Sequence, residues 1–153
     1  MIRIVHPIAG ALAVFIISGF WLSTVLTELF ATKAMVTSVK TFIPWGFFIL
    51  IPALIAAGLS GRYLGRGRTG GIIGRKSKRM PIVALNGLTI LIPSALFLSF
   101  KAQAGSFDAA FYTVQMIELC AGAVNIGLLG LNMRDGVRLS GKLRTCPASV
   151  SMK

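Results

Sequence analysis

Residues 5–30 read VHPIAGALAVFIISGFWLSTVLTELF, an apolar run with one histidine, His6, near its start and one carboxylate, Glu28, near its end. A helix needs about 20 residues to cross a hydrocarbon core about 30 Å thick. This run is long enough to do so and to tilt or protrude. Arg3 ahead of it is what a signal peptide would carry. The apolar part is too long for one, however, and no small-x-small cleavage site closes it, so the run reads as a retained first span.

Three similar runs follow at 42–59, 81–100 and 109–133. Barrel strands would alternate with a period of two over about ten residues, and these runs do not. Unpaired backbone groups are too costly in lipid for any other open structure, so continuous helices remain. The composition agrees. Of 153 residues, 55% are hydrophobic and 13% charged, and the formal charge is +12. A soluble nucleic-acid binder that basic would need a polar surface to carry its charge. The expected fold is therefore an all-α integral membrane protein, an antiparallel four-helix transmembrane bundle forming a single domain over 1–153.

The basic residues orient the bundle. Arg3 precedes the first span. The linker 60–80 carries Arg62, Arg66, Arg68, Arg75, Lys76, Lys78 and Arg79, and the tail 134–153 carries Arg134, Arg138, Lys142, Arg144 and Lys153. Lys33, Lys40 and Lys101 fall on the other side, in short loops. By the positive-inside rule both termini and the linker are cytoplasmic (N-in/C-in), and the expected location is a bacterial inner membrane, crossed several times. Anionic lipid headgroups are the natural partners of the linker. Its glycines lack the GKS or GKT ending of a phosphate-binding loop, and Tyr63 is its only aromatic residue, so nucleic acid is not an expected partner. Arg134, Arg138 and Lys142 recur every four residues, so the last helix is expected to run on past its span. Asp135 is placed to pair with Arg138 or with a linker arginine.

The most organised polar feature lies in the fourth run. Glu118, Asn125 and Asn132 are spaced by seven and share one helix stripe, with Gln115 and Gly122 beside it. A carboxylate at that depth is expensive and belongs on the bundle side. The stripe reads either as the lining of a cavity or proton site, or as polar glue between helices. Glu28 falls in the same outer half, where it can pair with Lys33 or Lys101 or face Glu118 across a shared proton. At the inner rim His6, Asn86 and Asn132 lie at similar depth and form a candidate cofactor site for haem b or a quinone. One histidine rules out bis-histidine ligation within a chain, so haem would also need Met80, Met116, Met133 or a second copy.

Pro52 and Pro93 sit within the second and third spans, in ILIPAL and ILIPSAL, and are expected to bend them. Small residues, among them Ala123, Gly127 and Gly130, offer smooth faces for packing of helices or of subunits. Cys120 and Cys146 share no metal-binding spacing and are expected to be free thiols. No nucleophile–base pair or ligand cluster marks an enzyme. The leading expectation is a non-catalytic accessory or assembly subunit of a larger membrane complex, meeting a membrane protein partner or a second copy. The alternatives are a haem- or quinone-binding redox bundle using His6, and a small proton-coupled transporter or channel lined by Glu118, Asn125 and Asn132.

Overall fold

The computed structural model describes residues 2–64 and 71–144, with side chains over 4–64 and 79–138. Among the described residues all regular structure is helical: α1 (Ile2–Phe30), α2 (Lys33–Leu64), α3 (Gly71–Asn86), a π-helical turn (Gly87–Leu91), α4 (Ile92–Gln103) and α5 (Ala109–Arg144). The π turn joins α3 and α4 end to end. Four stretches are long and apolar enough to cross a membrane: Ile4–Phe30, Lys33–Leu64, Arg79–Gln103 and Ala109–Arg138.

The helices outrun the hydrophobic spans from which they are expected. α2 begins at Lys33, so the loop expected between the first two spans shrinks to Ala31 and Thr32. Its first turn is closed by the Met35 and Val36 N–H groups, which both donate to the Thr32 carbonyl. At 32 and 36 residues, α2 and α5 are about 48 and 54 Å long, well beyond a bilayer core. α5 continues through Arg144, as the spacing of its basic residues predicts. The linker residues 65–70 and the tail from 145, with Cys146 and Lys153, lie outside the described residues.

Proline placement explains the irregular joint. Pro93 follows the Gly87–Leu91 π turn directly, in the first turn of α4. A proline ring collides with the carbonyl four residues back, and a widened turn relieves that collision. The irregularity expected at Pro93 is thus a π turn just ahead of it. α2 carries Pro52 and also Pro44, and α1 contains Pro7 beyond its first turn, because the helix begins at Ile2.

Packing is by small residues and by rings set on glycine. α1 and α2 make the most extensive contact, while α2 and α3 barely touch. Ala13, Ile17, Leu50, Ala53, Val83 and Leu129 form one core, and Val36, Leu98, Ala102 and Phe111 form another. Three rings of α1 rest where a neighbour has no side chain. A Cβ on Gly46 would run into Phe20 Cζ, one on Gly61 would stand 3.0 Å from His6 Cε1, and one on Gly122 3.0 Å from Trp21 Cδ1. Ala123, Gly127 and Gly130 point outward instead, and nothing lies within 4 Å of a Cβ at either glycine. That smooth face of α5 takes no part in the packing of this chain.

The turn between α4 and α5 is tightly closed. Gly105 has φ 66°, its N–H donates to the Ala102 carbonyl, and that of Ser106 donates to Lys101, the pattern of a glycine-terminated helix. Asp108 then caps α5 by accepting the Phe111 N–H at 3.0 Å and also pairs with Lys101. The Lys101 ammonium, followed by the Phe111 N–H, holds the Asp108 carboxyl below its ordinary value.

Candidate functional site

The polar stripe of α5 faces the bundle, and each member is spent on a different neighbour. Glu118 Oε2 accepts from Lys40 Nζ of α2 at 2.6 Å. Asn125 Oδ1 accepts from Asn86 Nδ2 of α3 at 2.9 Å, and the same Asn86 group reaches the Ala121 carbonyl. Asn132 Nδ2 points at Met80 Sδ, also of α3, at 3.3 Å. One turn further along α5, Asp135 pairs with Arg79 at 2.9 Å, the linker arginine rather than Arg138. Four side chains of one helix therefore clamp it to α2 once and to α3 three times.

Lys40 is the largest departure from the sequence reading. It belongs to no loop. Its side chain is 1% exposed, within a helix long and apolar enough to cross a membrane, beside a Glu118 side chain that is 12% exposed. The signal that would have found it is periodic. Val36, Lys40, Ile43, Leu50, Ala53, Ala57 and Ser60 are all buried and follow one another by three, four or seven, so Lys40 stands on the inner stripe of α2. Two buried charges are expensive to desolvate, and only close, hydrogen-bonded contact offsets the cost.

Glu28 pairs with neither expected lysine. Lys101 is engaged by Asp108, Lys33 lies 5.5 Å from the centre of the Phe107 ring, and Glu28 Oε1 is buried without a hydrogen-bond partner. Gln115 Oε1 and Asn132 Oδ1 are buried and unpartnered as well.

His6, Asn86 and Asn132 each find a different neighbour. His6 Nδ1 lies 3.0 Å from the Ala57 carbonyl and 3.1 Å from Ser60 Oγ, both on α2. A carbonyl only accepts, so the proton sits on Nδ1, and any bond to iron or to a ligand hydroxyl would fall to Nε2. Asn86 turns to Asn125 and Asn132 to Met80, so no hydrogen bond joins the three proposed cofactor residues. Cys120 is a free thiol on an exposed face. Among the described residues, no three His, Cys, Asp or Glu side chains gather as metal ligands would.

Where α2 and α3 part, a cleft of about 1250 Å³ opens, walled by parts of all the helices. His6, Arg62 and Tyr63 line it at one end, and Trp21, Glu118 and Asn125 line it further in. Between them the walls are apolar, from Phe47, Leu50, Leu54 and Leu91 among others, and Gly87 and Leu88 of the π turn contribute to the edge. Trp21 has already given its indole N–H to the Leu119 carbonyl at 3.0 Å. Comparison with protein-family models, curated proteins and solved structures produced no match, so the geometry carries the functional argument.

Proposed function

We propose that this chain is a non-catalytic, multi-pass protein of a bacterial inner membrane that holds a quinone-class lipid in the cleft between α2 and α3, as an accessory component of a larger membrane complex. The cleft carries the reading. A large apolar hollow with a few inward polar groups is the usual form of a small-molecule site. A substituted ring with part of a prenyl tail fits the volume, and Glu118 is a charged group in its wall. The accessory role is supported by how the polar groups are used, since Lys40, Asn86, Arg79 and Trp21 all serve contacts between helices.

In this reading the helices run antiparallel with both termini cytoplasmic. The pairing of His6, early in α1, with Ala57 and Ser60, late in α2, supports that arrangement, as does the pairing of Arg79, early in the third span, with Asp135 beyond the fourth. Withdrawal of Lys40 into the bundle strengthens the charge bias, because only Lys33 and Lys101 then remain at the outer face. The basic linker and tail lie against anionic headgroups.

The test is extraction of the protein, purified in nanodiscs from its own membrane, and assay of prenylated quinone against the bulk lipid of the same particles. Gly58 lines the cleft and a Cβ there would meet nothing within 4 Å, so Gly58→Phe is chosen to fill the space. Wild type is expected to carry about one quinone per chain and Gly58→Phe only the bulk level. Bulk level in both would end the proposal.

A further inference from the structure

Glu118 is the cleft's least explained wall residue. Its Oε2 oxygen takes the Lys40 ammonium at 2.6 Å, while Oε1 has no hydrogen-bond partner among the described residues. The side chain lines the cleft and is 12% exposed, whereas Lys40 behind it is 1% exposed. The charge is thus anchored from one side and presents a bare acceptor on the other. As one half of an ion pair the carboxylate has no proton to give, so it only accepts. Other polar atoms nearby are already used: the Trp21 indole is bound to the Leu119 carbonyl, and Asn125 Oδ1 to Asn86. An ion pair inside a membrane protein is costly, and helix contact alone could be served by neutral residues of similar volume. What a neutral pair would lack is a strong acceptor facing an apolar hollow.

We infer that Glu118 Oε1 is the acceptor for a ligand hydroxyl, so that the cleft selects the reduced, hydroquinone form of its lipid over the quinone. This rests on the cleft being a quinone-class site. The hydroquinone O–H donates to Oε1 in a charge-assisted bond. The quinone offers only carbonyl oxygens, which face the carboxylate as acceptor to acceptor and leave Oε1 unpaired. The single Lys40 ammonium keeps the carboxylate ready without taking both oxygens. No electron or proton is transferred in this step: it is binding selectivity, and its consequence is that the protein stores or delivers the reduced lipid.

The full-length protein in nanodiscs of defined phospholipid is titrated with three probes of one scaffold: decyl-substituted benzohydroquinone under argon, the corresponding benzoquinone, and the hydroquinone dimethyl ether. Trp21 in the cleft wall supplies the fluorescence signal. Wild type is expected to bind the hydroquinone roughly ten-fold or more tightly than the quinone or the ether, the penalty of an unmet charged acceptor. The double variant Lys40→Met with Glu118→Gln removes both charges together, so no lone charge is left in the bundle. It is expected to bind hydroquinone and quinone within about two-fold of one another. Equal binding of the three probes by wild type would overturn the selectivity and leave the cleft site standing. Failure of all three to bind would overturn both. The ether comparison is made on wild type alone, so it decides the matter even if the variant does not fold.

Discussion

The two ends of this bundle solve the same problem differently. At the α4–α5 turn the bonds that reverse the chain are local. Gly105 ends one helix, Asp108 begins the next, Lys101 pairs across seven residues, and Val36, Leu98, Ala102 and Phe111 close a core beneath. Away from that turn, polar groups reach between helices over long sequence separations: Lys40 to Glu118, Asn86 to Asn125, Arg79 to Asp135, His6 to Ala57. The closed end is held by turn chemistry, apolar contact and one bond between helices, from Thr37 Oγ1 to the Ala102 carbonyl. The open half keeps a hollow, so its helices are joined by directional bonds at the margins of the space rather than by filling it.

That contrast predicts a gradient of mutational cost. The largest loss is expected from Lys40→Met, which strands Glu118 as a buried lone charge and should lower stability by about 3–5 kcal/mol. Reversible unfolding in mixed micelles measures it. The double change with Glu118→Gln should recover most of the loss, and a double variant as unstable as the single one would show that Lys40 matters by packing alone. Next comes Gly46→Ala, whose added methyl meets the Phe20 ring and should cost about 1–3 kcal/mol. Phe20→Leu in the same chain should restore stability, and additive losses would mean that the two do not touch in the membrane.

A smaller effect is expected of the Asn86–Asn125 bond. A double-mutant cycle with leucine at each position should give a coupling of about 0.6–1.7 kcal/mol, the range found for hydrogen bonds between membrane helices. No coupling would remove one of the clamps on which the contrast rests. The smallest effect belongs to the closed end. Asp108 has its carboxyl pKa lowered by Lys101 and the Phe111 N–H, so its contribution is present in full above the unfolded-state value. That contribution is lost as pH falls through the folded value, below about pH 4. Thermal midpoints of wild type and Asp108→Asn should differ by a constant amount from pH 5 to 7 and converge in stronger acid. A gap that widens in acid would contradict the assigned cause.

Much of this was legible in the chain. The four apolar runs predict four spanning helices, because lipid leaves the backbone few alternatives. The seven-residue spacing of Glu118, Asn125 and Asn132 predicts a shared inward face, while the choice between Arg138 and a linker arginine as partner of Asp135 is made only by the fold. The burial of Lys40 is not legible in the sequence, since a lysine at the edge of a hydrophobic window resembles a loop residue until its helix is known to begin at Lys33. Nor could the ring-on-glycine contacts be read, as nothing in the local sequence of Gly46, Gly61 or Gly122 announces which aromatic will arrive. The grouping of His6 with Asn86 and Asn132 rests on depth alone. Depth leaves the rotation of each helix undetermined, and rotation decides which side chains meet.

What the chain determines by itself is therefore one-dimensional: which segments are apolar enough to span, how long they are, where charge gathers, and which residues of one helix share a face. Those properties follow from hydropathy and a fixed helical period. Tertiary structure decides the rest, namely that α1 lies along α2, that α3 stands away from α2, that Lys40 finds Glu118, and that a cleft remains between them. Contacts between helices in a membrane depend on close fit and on directional bonds between distant residues, and these exist only once the helices are placed.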